Sequence, residues 1–137
     1  MSLEIAVREN EGIQILDLSG RLIAGDEAIL LRDRVRDLAA AGHTRAVLNL
    51  KNVDYIDSTG LGAMTIGFTT MRRAGGGLKL LNLSRRNVEL LVLTKLTTVF
   101  EVFNEEQEAV NSFFPDREVK HFDVLEFVQS FKKSQGS

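Results

Sequence analysis

The chain has 137 residues and no cysteine, which excludes a disulfide framework and a thiolate metal site and fits a reducing compartment. Its formal net charge of -2 gives no electrostatic reason to expect nucleic acid or an anionic membrane as a partner. No signal peptide is visible at the start, and the apolar stretches are far shorter than the about 20 residues that a membrane span needs. We therefore expect one soluble, cytoplasmic domain with a single core.

The first part of the chain predicts a β-hairpin, a helix and a central strand. LEIAVREN and IQILDLSG both alternate apolar and polar residues, and ENEG between them is typical of a hairpin turn. From Asp26 the apolar residues recur at helical spacing, with Asp26 as the predicted N-cap and Gly42 as the C-terminal stop. The apolar run RAVLNLKNV then predicts a strand in the middle of the sheet.

The residues DSTGLG follow that strand and open a segment, Ser58 to Met71, without a single charge. We predict a helix from about Ser58 to Arg73, with Ser58 as its N-cap. Gly60 and Gly62 should keep its first turn narrow, at some cost in helix propensity. A narrow, uncharged helix start predicts that something approaches it closely.

The two sides of this helix differ from those of an ordinary surface helix. The apolar stripe that should face the sheet consists of Leu61, Met64, Phe68 and Met71. The opposite side carries small or uncharged residues, Gly62, Ala63, Ile66 and Thr70. Because interface cores are depleted of charge, an uncharged outer side beside an exposed serine favours a docking surface. Two alternatives stay open: the C-terminal extension covers this side, or a second copy does so in a weak homodimer.

The remaining elements predict a sheet with helices on it. After the break AGGG, LKLLNL predicts a strand, SRRNVELLVLTKL a helix with Val88, Leu91 and Leu96 inward, and VFEVFN a last strand. Asn104 is the predicted N-cap of a fourth helix, because Asn-x-x-Gln matches a capping box. The order ββαβαβαβα predicts an α/β fold with one mixed sheet covered by helices.

A C-terminal extension follows this unit. Pro115, the only proline, closes the unit, and HFDVLEFVQSFKK predicts a fifth helix whose apolar stripe packs against the rest of the protein.

Enzyme chemistry has little support in this sequence. His43 and His121 lie apart from any nucleophile motif. The glycine run 75–77 lacks the Lys-Ser/Thr pair of a phosphate-binding loop, and Asp54 with Asp57 offers too few oxygen ligands for a metal site. We therefore predict no catalytic residue, no metal and no cofactor.

The segment VLNLKNVDYIDSTGLGAM, with LSGRLIAGD before it and LKLLNLSRRNVELLVLTKLTTVFEVFNEEQEAV after it, resembles the STAS domain of anti-sigma factor antagonists. The resemblance runs from about Leu3 to Phe114, which predicts a STAS domain over 1–114 and an extension over 115–137. It implies a single-domain, STAS-like α/β fold whose mixed sheet opens with a hairpin. Ser58 matches the serine that is the family's phosphoacceptor.

The resemblance implies a partner switch in which the catalysis belongs to other proteins. The unphosphorylated protein would bind an anti-sigma factor that is also a serine kinase, and so free a sigma factor. Phosphorylation of Ser58 would end that complex, a serine phosphatase would reverse it, and Thr59 is the weaker candidate for the phosphate. The resemblance and the uncharged helix side together give the predicted partner-binding residues: Gly20, Arg21, Leu22, Asp57, Ser58, Thr59, Gly60, Leu61, Gly62, Ala63, Ile66 and Thr70. The competing interpretation is a non-switching STAS scaffold subunit of a signalling or lipid-transport assembly.

Overall fold

The computed structural model describes residues 3–119, which contain a five-stranded sheet and four α-helices. The strands are β1 (Leu3–Asn10), β2 (Ile13–Leu22), β3 (Arg45–Ile56), β4 (Gly77–Leu81) and β5 (Val102–Phe103). The helices are α1 (Asp26–Ala40), α2 (Ser58–Arg73), α3 (Arg85–Leu93) and α4 (Glu106–Asn111), and a short 3-10 helix, Leu96–Thr98, follows α3. None of these helices is long and apolar enough to cross a membrane.

The sheet is mixed and begins with a hairpin, as predicted. Its strand order is β1-β2-β3-β4-β5, with β1 antiparallel to β2 and the other neighbours parallel. Glu11 and Gly12 connect β1 to β2 with φ angles of 52° and 83°, the signs that a two-residue hairpin turn of the primed type requires. The predicted order of strands and helices is also confirmed.

The alternation of residues along the strands divides the core between the two faces of the sheet. Leu16 and Leu48 belong to the larger cluster with α1 and α2, whereas their neighbours Ile15 and Val47 belong to a smaller cluster with α4. The central strands are therefore apolar on both faces, as expected where helices cover both. The beginning of β3 is buried on both faces, whereas in its last six residues only Val53 and Ile56 are buried, both in the larger cluster.

The predicted N-caps of α1 and α4 are wrong. Asp26 is the first residue of α1 and not its N-cap, because Gly25 holds the cap position with a φ of 103°. At α4 the N-cap is Glu105, whose side chain makes no capping bond, so Asn104 lies too early for the predicted capping box. The predicted stop at Gly42 is confirmed: its φ is 92°, and its N–H donates to a carbonyl of the last turn of α1.

Several other elements end at positions that differ from the predicted ones. The last two strands are shorter than predicted, since β4 ends at Leu81 and β5 contains only Val102–Phe103. β2 continues through Leu22, and β3 continues through Ile56, because the two strands stay paired to that point. Leu96 is not part of α3, since Lys95 adopts a left-handed conformation with a φ of 62° and the chain turns into the 3-10 helix. Its predicted inward position holds, because Leu96 packs against the larger cluster.

Contacts with the folded unit continue past Phe114. Phe113, Phe114 and Val119 pack against the smaller cluster, and an Arg117 nitrogen donates to Glu11 Oε1 at 2.8 Å. The predicted fifth helix lies outside the described residues, so the division into 1–114 and 115–137 stays a prediction.

Arg8 connects β1, β2 and α4 on the face of the sheet opposite to α1 and α2. Its Nε donates to Asp17 Oδ2 at 2.6 Å, and its terminal nitrogens donate to both carboxylate oxygens of Glu106. Asn49 adds a bond to Asp17, and Asn10 adds one to Glu106. Chiefly because of Arg8, the pKa values of Asp17 and Glu106 are lower than usual.

The Arg8 network predicts a pH-dependent part of the stability. Arg8→Gln should lower the free energy of unfolding by about 1 kcal/mol at neutral pH, a modest value because the ion pairs are partly exposed. Since both carboxyl pKa values are depressed in the folded state, their contribution exists above the unfolded pKa values and is lost as pH falls through the folded ones. Urea unfolding at neutral and strongly acidic pH measures it, with Arg36→Gln on the exposed side of α1 as control. A difference between Arg8→Gln and wild type that persists at acidic pH would contradict this account.

Candidate functional site

The residues DSTGLG lie at the edge of the sheet where β2 and β3 end together. Leu22 pairs with Ile56 in the parallel register, so the two strands finish side by side. The chain then enters α2 through Asp57, whose backbone N–H donates to the Leu22 carbonyl at 3.2 Å. The loop after β2 and the start of α2 are therefore direct neighbours.

Asp57, and not Ser58 as predicted, is the N-cap of α2. Its Oδ1 accepts a hydrogen bond from the Gly60 N–H at 2.7 Å, which satisfies one of the free donors at the helix start. Its Oδ2 accepts another from the Ala24 N–H at 2.9 Å, which fastens the loop after β2 to the helix. These two N–H groups lower the pKa of Asp57, because they stabilise the ionised carboxylate.

Since Asp57 caps the helix, the hydroxyl of Ser58 is not needed for that role. Ser58 and Thr59 are the first two residues of α2, and both are exposed. Ser58 Oγ makes no hydrogen bond within residues 3–119. It stands at the positive end of the helix dipole, where an added negative charge is tolerated. This hydroxyl is accessible to a modifying enzyme.

Only one of the two glycines near the helix start is required by packing. A Cβ on Gly60 would lie 2.1 Å from the Leu22 carbonyl oxygen, so any side chain there would collide with the backbone of β2. A Cβ on Gly62 would meet nothing within 4 Å. Within the fold, the close approach occurs at Gly60, and the predicted role of Gly62 in the approach of a partner stays a prediction.

The predicted partner-binding residues divide between the surface and the interior. Arg21, Ser58, Thr59 and Ile66 are exposed, and Gly20, Asp57, Gly62 and Thr70 are partly exposed. Buried in the structure are Leu22, Gly60, Leu61 and Ala63. The side chains of these buried residues are not on the predicted surface, because α2 packs them against the sheet and α1. These residues can affect the surface only indirectly, by fixing the positions of the exposed residues beside them.

Helix α1 covers one side of α2. The Cβ position of Gly67 lies 3.5 Å from a methyl group of Val35, and the buried Ala63 precedes Gly67 by one turn on the same side. The uncharged surface is therefore narrower than predicted. Without Ala63, the predicted outer side becomes one stripe at a spacing of four residues, here called the α2 stripe: Ser58, Gly62, Ile66 and Thr70.

The α2 stripe presents little polarity apart from Ser58. The Ile66 side chain is 48% exposed. The hydroxyl of Thr70 is occupied inside the helix, since Oγ1 donates to the Ile66 carbonyl at 2.9 Å. An exposed isoleucine with neutral neighbours and a serine at one end suits contact with another protein surface.

Sequence reasoning missed Tyr55 and Arg86, which lie near the end of β3. Tyr55 is 41% exposed, and the Arg86 guanidinium carbon is 5.1 Å from the centre of its ring. Arg21, which the sequence did indicate, pairs with Tyr55 in the register of β2 and β3. No local spacing could have found this group, because its members come from two strands and α3.

Comparison with known protein families identifies the family to which this chain belongs. The model of the STAS domain family matches residues 4–109. The chain belongs to the STAS domain family. A relative named anti-sigma-B factor antagonist, from Bacillus subtilis (strain 168), is 33% identical over 102 residues, covering 74% of this chain and 92% of the relative. The suspected family, STAS anti-sigma factor antagonists, is therefore confirmed.

Solved STAS structures have the same architecture. An anti-sigma factor antagonist from Mycobacterium paratuberculosis matches with a TM-score of 0.70 at 18% identity, covering 82% of this chain and 94% of its own. The Bacillus protein SpoIIAA matches at 18% identity in its unphosphorylated and phosphorylated forms, with TM-scores of 0.61 and 0.63. Each comparison covers 80% of this chain and 96% or 98% of the SpoIIAA chain. Likenesses at this identity show the fold alone.

The glycines of α2 give a matched pair of substitutions. Gly60→Ala should destabilise the protein by about 1 to 3 kcal/mol, because its methyl group would be forced against the Leu22 backbone. Gly62→Ala should be neutral or stabilise by up to about 1 kcal/mol, because alanine is the better helix former and the site is open. Chemical denaturation of both variants checks this. Equal effects of the two substitutions would show that Gly60 has no special packing role.

Proposed function

We propose that this protein is an anti-sigma factor antagonist that acts by partner switching, with Ser58 as its phosphoacceptor. The carrying observation is the exposed Ser58 hydroxyl at the start of α2, left free because Asp57 caps the helix. The 33% identical relative with the name anti-sigma-B factor antagonist supports the assignment. The protein itself catalyses nothing in this scheme and needs no cofactor.

In the unphosphorylated state, the α2 stripe and the loop after β2 form the docking surface. Their partner is an anti-sigma factor with serine kinase activity, and its capture releases the sigma factor. The stripe supports this role because it can be desolvated without burying a charge. Asp57 stays at the rim of the contact, with both carboxylate oxygens already bonded to backbone N–H groups.

Phosphorylation of Ser58 adds negative charge to the docking surface directly beside Asp57. A phosphoserine at position 58 carries about -1.5 to -2 charges and stands next to the ionised carboxylate of Asp57. Burying this charge against the partner without a compensating cation costs several kcal/mol, and each ~1.4 kcal/mol changes the affinity about tenfold. The kinase therefore ejects its own product, and a serine phosphatase restores the binding form.

The switch does not require refolding. The phosphate is added at the N-terminus of α2, where the helix dipole and the first N–H groups favour negative charge. The similar TM-scores of this chain to the two forms of SpoIIAA support a phosphorylated state with the same fold. Electrostatics and desolvation at the interface are sufficient for release.

Affinity for the cognate anti-sigma kinase should depend on charge at position 58. Ser58→Ala should bind within a few-fold of wild type, because it keeps the surface neutral. Ser58→Asp should bind at least about a hundredfold more weakly, because it buries a carboxylate beside Asp57. Isothermal titration calorimetry measures both, and Thr59→Ala is the control for a neighbouring exposed hydroxyl.

The same titrations can also contradict the proposed switch. Equal affinities of Ser58→Ala and Ser58→Asp would refute the electrostatic switch. If neither variant binds a kinase and the protein forms a stable high-order assembly at low concentration, the scaffold interpretation replaces this proposal.

A further inference from the structure

A cavity of about 350 Å³ lies at the edge of the sheet opposite to Ser58. Its walls include Arg45 and Gly77, the first residues of β3 and β4, and Arg72 in the last turn of α2. Ligand sites in proteins measure about 300 to 1,000 Å³, so this cavity suits a small molecule. It shares no residue with the docking surface proposed above.

Three cationic side chains line this cavity, and aromatic rings hold them in place. The Arg72 guanidinium carbon is 5.6 Å from the centre of the Phe68 ring. Lys79 Nζ is 4.4 Å from the centre of the Phe113 ring. Arg45 is likewise stacked on an aromatic ring, that of Phe114, at 5.5 Å.

The two arginines keep N–H groups available for a ligand, whereas Lys79 already has hydrogen-bond partners. A guanidinium that lies over a ring uses its face, so its N–H groups can still donate in the plane. Within residues 3–119 neither Arg45 nor Arg72 has a carboxylate partner. Lys79 is fixed by the Ser112 carbonyl at 3.1 Å and by Glu101 at 3.4 Å.

The charge of the cavity contrasts with that of the chain. Among the lining residues that the structure describes, three cations face one carboxylate, Glu101, which leaves two net positive charges around a small volume. The whole chain has a net charge of -2. A concentration of positive charge within a concave wall favours a ligand with at least two negative charges.

The glycine run 75–77 makes room for such a ligand but does not bind it. The N–H groups of Gly75, Gly76 and Gly77 donate to the carbonyls of Arg72, Met71 and Thr44, so none is free to cradle a phosphate. A Cβ on Gly76 would lie 1.8 Å from the Thr44 carbonyl oxygen, which explains glycine at that position. Recognition would therefore depend on the side chains alone.

We infer that this cavity binds a small polyanion, a polyphosphate or a polycarboxylate, through Arg45, Arg72 and Lys79. The two arginines donate in-plane hydrogen bonds to anionic oxygens, and Lys79 contributes a fixed point charge. The apolar part of the wall is formed by Phe68, Leu78, Val99 and Phe113. This site is separate from the phosphorylation switch and does not depend on it.

Calorimetric titration of the full chain with pyrophosphate and, separately, with citrate tests the inference at constant ionic strength. We expect saturable binding of at least one probe. Arg72→Gln should weaken that binding about tenfold or more, the effect of losing a charge-assisted hydrogen bond. Arg73→Gln removes the neighbouring exposed arginine, which does not line the cavity, and should leave the affinity unchanged.

Each outcome decides a point. Binding of pyrophosphate alone identifies a phosphate ligand, binding of citrate alone a carboxylate ligand, and binding of both the shared polyanion chemistry. Absence of saturable binding of either probe overturns the inference. Equal affinities of Arg72→Gln and Arg73→Gln also overturn it, because they would show diffuse attraction to surface charge. Arg45→Gln provides a second cavity variant, and its thermal midpoint, like that of Arg72→Gln, confirms folding.

Discussion

The candidate site depends on the hydrogen bonds that the carboxylate of Asp57 accepts. One oxygen holds the Gly60 N–H at the start of α2, and the other holds the Ala24 N–H in the loop after β2. A backbone bond from Asp57 to the Leu22 carbonyl adds the end of β2 to the same arrangement. Because three segments meet at this one residue, the next residue, Ser58, is exposed at a fixed position, and its hydroxyl makes no bond to the part of the chain that the structure describes.

The same arrangement explains why a phosphate at Ser58 would act as a switch. The helix start accepts negative charge without unfolding, because of its dipole and free N–H groups. A partner surface that desolvates the α2 stripe does not accept it, since Asp57 already places one carboxylate there. In the proposed switch, folding and binding would respond differently to one added phosphate, and only the complex would be lost.

Much of this architecture is readable from the sequence, and the differences have physical causes. Alternation and helical spacing predicted the hairpin, the order of elements and the inward stripe of α2, because these patterns reflect burial directly. The sequence predicts Ser58 as the N-cap of α2 because Ser and Asp are both good caps, and only the bond from the Gly60 N–H to Asp57 shows which of the two neighbours caps the helix. Likewise, Ala63 was assigned to the surface because the cover that α1 provides is a long-range contact. The Tyr55 and Arg86 pair was invisible for the same reason.

The central claim is that Ser58 is the residue at which this protein is modified. Its most direct test is incubation of the protein with ATP and a lysate of its own source, followed by mapping of the phosphate by mass spectrometry. The account predicts phosphate on Ser58 that disappears in Ser58→Ala and persists in Thr59→Ala. Phosphate on Thr59 alone would contradict the claim. So would no phosphate at all in a lysate shown to phosphorylate another antagonist, and Ser58 would then be only an exposed residue beside the helix cap.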